Sequence, residues 1–467
     1  MDEHELLNYA FEQSDTLFRL LAGQRTRRVF KGFSKDISGE EIHGASGNRL
    51  SFHDPGRFEP GSTPLTWEGN NLSAPEPLSE LEEAILLWAA CGPNGIVAGD
   101  IGLNENLSTM VCMAGRTIPG PCNDAAVNMV VVNDRGTWLY RPTYDREKVV
   151  EIEGPEDYSK VLKWYREGMI KLSDQRLDCD WSLLPGRPWG IYQFNSNKPG
   201  STMFIPVFGM AHEMVNYLFA AFEFLGWNII DEATGQSAGL KPWVKKHRLD
   251  YDLTQRYWET FFFATECNPP AMAIQNIRLA AESLGLGSWN HSTNTDVVLG
   301  GFQDKAKGLN MVSTDFNGAK NFVGLKGVLE GCGLPAPWNA SPEEVVDHVL
   351  EGKYGSGVFM GKGSEFLAIE KGPFKPAVRD AVRAHKKSKV ASWCVEAAKA
   401  YMRYTFDHYG RYPVYLSDFQ TSAFMIEVSH CDIRYYENFN VPGYINSRIR
   451  RHHELWHSKA GAIKRAA

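Results

Sequence analysis

Residues 115–132 read Gly-Arg-Thr-Ile-Pro-Gly-Pro-Cys-Asn-Asp-Ala-Ala-Val-Asn-Met-Val-Val-Val. A turn broken by proline and glycine runs into Met129–Val132, an apolar β-branched run that predicts a buried strand. Further strands are expected at 109–114 and 137–141, beside one at 128–133. The turn delivers one polar residue, Asn123, just ahead of the strand. Such turns hold a side chain still while leaving backbone N–H and C=O groups open to a ligand. The Asn amide carries two donors and an acceptor, which suits the edge of a flat polar heterocycle.

At 467 residues the chain can bury a large core, and its 43% hydrophobic and 22% charged residues are ordinary for a globular protein. A net charge of −7 gives no electrostatic reason to expect nucleic acid or an anionic membrane as partner. No apolar run approaches the ~18–20 residues that span a bilayer. The start, Met1-Asp-Glu-His-Glu, is acidic and lacks a signal-peptide pattern, so the cytoplasm is the default expectation. The 8 cysteines are scattered singly and read as reduced, mostly buried thiols, Cys122 beside Asn123 included.

Apolar spacing predicts a helix over residues 3–23, ended by Gly23. Ser79 and the acids after it open a second helix that stops at Gly92-Pro93. Further helices are expected at Val161–Leu172, Glu213–Leu225 and Ala271–Leu284, with a mixed helix over 376–408 and a strand at 356–361. Residues 36–75 and Leu183–Pro206 read as irregular, and 409–457 are dense in aromatics and histidines.

Three distant segments make sense together. Arg25-Thr26-Arg27-Arg28 follows the first helix and offers three guanidiniums and a hydroxyl, a good phosphate cradle. The second is the Asn123 turn. The third runs from the helix through Leu284-Gly-Leu-Gly287 to Val297-Val-Leu-Gly-Gly-Phe302, where Gly300-Gly301 lets backbone approach a flat ligand. Taken in this order, Gln24–Phe30, Ile118–Asn123 with Met129–Val132, and Ala280–Gly287 with Leu299–Phe302 resemble the nitroreductase-like FMN flavoprotein superfamily. Leu86–Ala90 and the Gly-Arg-Thr-Ile-Pro turn look most like its branch containing peptide azoline oxidases. The chain departs from the family pattern at Gln24, at Gly120 where serine is usual, and at Gly300 where an acid is common. A later lysine, Lys362, Lys371 or Lys375, would then complete the phosphate charge.

The resemblance implies an FMN-dependent oxidoreductase, with hydride passing through flavin N5 and NAD(P)H as a candidate electron donor. Arg25, Thr26 and Arg28 would hold the phosphate, Asn123 the ring or ribityl chain, and Gly300-Gly301 would border N5 with the Gly301 N–H pointing at it. No catalytic side chain is nominated, because such enzymes often leave the proton to water or substrate. The implied fold is α+β, a three-layer sandwich with an antiparallel-rich sheet flanked by helices, in a homodimer with flavin at the interface. Residues 1–376 would form the flavin domain and 377–467 a helical, aromatic- and His-rich extension. Residues 145–260 would be an insertion acting as lid or arm, with Pro185–Trp189 and Asn195–Thr202 as lid candidates. The substrate would be a small organic or peptide-derived molecule. The rival reading is a silent flavin-binding or partner protein of the same fold.

The tail also carries His453-Glu454-Leu455-Trp456-His457, a zinc-protease pattern. Only ten residues follow, without a further His, Asp or Glu, so a zinc metallopeptidase is disfavoured, and no metal is expected against a plain packing helix. Gly355-Ser-Gly357-Val-Phe-Met-Gly361 lacks dinucleotide-fingerprint spacing and reads as a turn.

Overall fold

The computed structural model describes residues 17–33, 35–36, 66–67, 74–96, 114–120, 127–142, 150–179, 195–292, 295–301, 306–316, 319–333, 341–354, 375–377, 380, 390–422 and 424–456. In chain order the elements used below begin with α1 (Leu17–Gly23), α2 (Glu80–Cys91), β1 (Val127–Asn133), β2 (Gly136–Tyr140), α3 (Ser159–Gly168) and β3 (Met169–Ser173). Next come β4 (Ser201–Gly209), α4 (Met210–Glu223), α5 (Gln255–Glu266), α6 (Asn268–Leu284), β5 (Gly287–Ser292) and α7 (Thr295–Gly300). The chain continues through β6 (Val312–Phe316), β7 (Ala319–Leu325), β8 (Leu329–Glu330), α8 (Pro342–Tyr354) and α9 (Ser392–Tyr409). It closes with β9 (Phe419–Thr421), β10 (Phe424–Ser429), α10 (Ile433–Phe439) and α11 (Ser447–Trp456).

The apolar run at 127–133 forms β1, which pairs with β2 in a hairpin registered at Met129↔Tyr140 and Asn133↔Gly136. Around it lies a 7-stranded sheet in the order β5-β10-β4-β1-β2-β3, with β9 also on β4, and every neighbouring pair is antiparallel. Side chains alternate between its faces, as strand geometry requires. Val127, Met129 and Val131 join Phe204, Phe208, Ile426 and Val428 against a layer built from α2, α4, α6 and α9. Val130 and Val132 join Met203, Ile205, Val207 and Met425 against α7 and the small β6-β7-β8 sheet. The chain is therefore α+β, with a mainly antiparallel sheet covered on both sides.

Helix ends follow local chemistry. The Ser79 hydroxyl accepts from the Glu82 N–H (3.3 Å) while Glu82 Oε2 accepts from the Ser79 N–H (2.8 Å), a reciprocal cap at the start of α2. α6 opens on Pro269-Pro270, which cost nothing where N–H groups lack helical partners, and ends at Gly285 in the left-handed region (φ +79°). Among the described residues no helix is long and apolar enough to cross a membrane.

Several expectations need correction. Ser201–Gly209, which begins within the segment read as irregular and lies within the stretch read as an insertion, is the strand β4 between β1 and β10. It escapes pattern reading because both faces are buried, so it shows no alternation, and because it contains Pro206. Pro206 sits where the neighbour on one side changes from β10 to β9, so the ladder there is already interrupted. The helix expected over 161–172 ends at Gly168 and continues as β3. The tail beyond 377, expected to be helical, adds β9 and β10 to the sheet as well as helices. The strand expected at 356–361 lies outside the described residues.

Candidate functional site

After α1 the basic segment runs in an extended path beside the start of β5 and the end of β10. The Arg27 N–H donates to Ser288 O (3.0 Å), Lys31 N–H to His430 O (2.9 Å) and Asp432 N–H to Val29 O (3.1 Å). Two of the three segments singled out in the sequence, Arg25–Arg28 and Leu284–Gly287 with its strand, are thus neighbours.

The four side chains of that segment have different fates. Arg27 is buried; its guanidinium donates to Glu282 Oε2 (2.7 Å) and to Tyr444 O (3.0 and 2.8 Å). Glu282, on α6, is equally buried, so this pair is structural. Arg25 and Thr26 are exposed; Arg25 Nη1 donates to Ala22 O (3.1 Å) and Gln24 O (2.7 Å), covering carbonyls at the end of α1. Arg28 turns inward, with its guanidinium carbon 4.3 Å from the centre of the Trp289 ring. Its Nε (3.0 Å) and Nη2 (2.5 Å) donate to Asn195 Oδ1, and the Asn195 amide donates back to Arg28 O.

Arg28 belongs to a buried polar cluster. Trp289 pairs across strands with Glu427, and Glu427 with Met203, which places all three on the α7 side of the sheet. Glu427 is buried and accepts from the Asn197 N–H (3.0 Å), Ser201 Oγ (2.9 Å), His291 Nε2 (3.1 Å) and Ser196 Oγ. Burial pushes its carboxyl up, but the His291 hydrogen bond and charge and the two serine hydroxyls outweigh it and hold it below the usual carboxylate range. His291 stacks on Trp289 with ring centres 4.3 Å apart. Burial pulls the Arg28 guanidinium down, opposed by Tyr436 and Glu427; arginine remains cationic throughout. The cluster is a fixed cation over an aromatic face, above a His–carboxylate pair.

Pattern reading missed Trp289, His291, Asn195 and Glu427 as site residues. Only the position of Trp289-Asn-His291, one residue after Leu284-Gly-Leu-Gly287, could have flagged the first two. In the lid candidate Asn195–Thr202, Asn195, Ser196, Ser201 and Thr202 are buried, tied to Arg28, Glu427 and Glu83. Gly300 ends α7, where a Cβ would come 2.5 Å from the Phe322 ring. Gly301 has φ +78°, and its N–H is donated to Val297 O (3.0 Å), so it is not the open donor expected. Asn123, Cys122, Lys362, Lys371 and Pro185–Trp189 lie outside the described residues. The described part of the turn packs on α2 and α6, with Asn276 Nδ2 donating to Thr117 O (3.1 Å) and Ala89 O (3.0 Å). His453 and Glu454 lie on α11, and His457 lies outside the described residues.

No protein-family model and no curated protein sequence matches the chain. Among solved structures, a protein of Ralstonia eutropha JMP134 described as a nitroreductase aligns at 14% identity and a TM-score of 0.19. The alignment covers 47% of this chain and 62% of that one, less than two thirds of its length. At that score the likeness carries nothing about fold or function, and the chain is assigned to no family.

Proposed function

We propose that the chain is an FMN-dependent oxidoreductase that passes hydride through flavin N5 to or from a small organic or peptide-derived substrate. The observation that carries this reading is the basic segment itself. It is fixed alongside the Leu284–Gly287 block with Arg25 and Thr26 facing solvent, while Arg28 is a fixed cation at its inner side.

The residues fit a phosphate at one end. Arg25 and Thr26 would hold the dianion, with Arg28 adding charge from within. Asn123 would bond the ring edge or ribityl chain. Gly300 and Gly301 would border the ring through backbone alone, since a Cβ at Gly300 would meet the Phe322 ring, one at Gly301 the Ala306 carbonyl, and the Gly301 N–H is engaged with Val297. When bound, FMN supplies a reversible two-electron carrier. This chain's own part is to keep Arg28 charged and oriented through Asn195, and to hold a proton on His291 Nε2 against Glu427. The exposed Leu17 (53%) and Leu21 (45%) on α1 favour a homodimer with the flavin site near its interface. NAD(P)H is the electron donor proposed for the reductive direction.

The engaged Gly301 N–H favours a second reading, a flavin-binding protein without turnover. Titration with FMN and with riboflavin, followed by flavin fluorescence, tests the phosphate assignment. FMN is expected to bind more tightly. The Arg25→Ala variant should lose about tenfold or more in FMN affinity and little in riboflavin affinity, since charge-assisted bonds contribute about 1.5–3 kcal/mol each. Equal affinity for the two flavins, or none for either, refutes the proposal. Bound FMN that NAD(P)H and candidate substrates leave unchanged supports the second reading.

A further inference from the structure

Glu82, His430 and His452 come from three elements with no local sequence relation: the first turn of α2, the residue after β10, and α11. Their ligand-capable atoms all lie within 4.8 Å of one another. His430 Nε2 is 3.1 Å and His452 Nε2 3.7 Å from the same oxygen, Glu82 Oε1. In a tetrahedral site with bonds of about 2.0–2.1 Å, neighbouring ligand atoms stand about 3.3–3.4 Å apart, and the two distances bracket that value. Both imidazoles are more than nine-tenths buried, at 5% and 8% exposure, and their rings stack 5.3 Å apart.

The remaining polar atoms of each group are fixed in the way metal ligands are. His430 Nδ1 meets Glu76 O at 3.1 Å, and the His452 ring is hydrogen-bonded to the Leu284 carbonyl. A carbonyl only accepts, so each imidazole donates there and turns Nε2 toward the carboxylate. Glu82 Oε2 accepts from the Ser79 N–H and Oγ, both at 2.8 Å. Such backbone and hydroxyl partners set the tautomer and orientation of ligands around a metal. The approach of α11 depends on Gly285, where a Cβ would stand 2.7 Å from the His452 Cβ and 2.6 Å from Arg448 O. Three ligand-capable atoms converging on one point offer a cation a ready-made set of partners.

We propose that Glu82, His430 and His452 bind one divalent transition-metal ion, with zinc as the preferred occupant. Two imidazoles and one carboxylate suit zinc and leave a coordination position for water. The ion would fasten α11 across α2 and the end of β10. The site uses His452, the residue just before the His453–His457 pattern, and does not depend on flavin binding.

The test uses the full-length protein with any affinity tag removed. It is stripped with chelator, dialysed against buffered Zn(II) and analysed by plasma emission. Wild type should retain about one zinc per chain and unfold at a higher temperature with zinc than without. Glu82→Gln and His430→Ala should each lose about tenfold or more in zinc affinity while keeping the wild-type circular dichroism. Cobalt-loaded wild type should show ligand-field absorption that His430→Ala lacks. Because His452→Ala removes a buried packing group, the conclusion rests on the other two variants. His453→Ala is the control and should retain zinc. Retention below about 0.1 zinc per chain, or equal retention by wild type and His430→Ala, overturns the proposal and leaves a hydrogen-bonded His430–Glu82 pair in its place. Loss of zinc in His453→Ala alone overturns it in favour of the His453–His457 pattern.

Discussion

Removing Arg27 and removing Arg25, two residues apart in one basic run, should have opposite consequences. Arg27→Ala deletes the partner of a carboxylate that is only 3% exposed and strips three hydrogen bonds from Tyr444 O and Gly23 O. Breaking a buried pair from one side costs about 3–5 kcal/mol, because the other charge stays buried. Asn446 and Arg448 still reach Glu282 Oε1, which places the loss toward the lower end. Arg25 is exposed and bonds only neighbouring carbonyls, so Arg25→Ala should change stability by no more than about 0.5 kcal/mol. Replacing both members of the pair, Arg27→Met with Glu282→Leu, should recover much of the loss, since no buried charge remains. Urea titration followed by tryptophan fluorescence reads all four proteins, with midpoints compared at a common slope. If Arg27→Ala unfolds at the same midpoint as Arg25→Ala, the assignment of Arg27 to structure and Arg25 to ligand fails.

Two buried carboxyls should pull stability down as pH rises from 5 to 8, against the opposite pull of histidines that burial holds low, His212 foremost. Burial pushes Glu259 up to about 7 against the Val414 and Tyr415 N–H groups, and pushes Asp418 up to about 7 against those of Gly333 and Ala211. A carboxyl raised on folding keeps its proton in the native state, so its contribution is whole below the unfolded value and is lost as pH climbs to the folded one. Each shift corresponds to about 3–4 kcal/mol. The urea midpoint should therefore fall more, or rise less, with pH in the wild type than in Glu259→Gln; an identical slope in that variant contradicts the argument. Glu427→Gln places an amide among four donors and should cost about 1–3 kcal/mol by the same titration, whereas a neutral result would mean those donors are not aimed at the carboxylate.

Much of the scaffold was legible locally. Ser79 and Glu82 announce the start of α2, Gly285 the end of α6, and the valines after 127 the strand β1. What escaped was decided by distant partners. β4 has no alternation to read because α4 and its neighbouring helices cover one face of the strand while α7 and the β6-β7-β8 sheet cover the other. Glu427, in Met-Ile-Glu-Val-Ser, has the look of a solvent-facing strand residue, and only Ser196, Asn197 and His291 folding over it make it internal. The basic run was recognisable, but that Arg27 is the buried, structural arginine depends on Glu282 and Tyr444, more than 250 residues away in sequence. Likewise, nothing near His452 points to Glu82.

The most direct test of the flavin reading is the visible absorbance spectrum of the purified protein, before and after denaturation. Bands near about 370 and 450 nm, with FMN released on unfolding, are the expected result. A colourless protein that takes up no added FMN would contradict it.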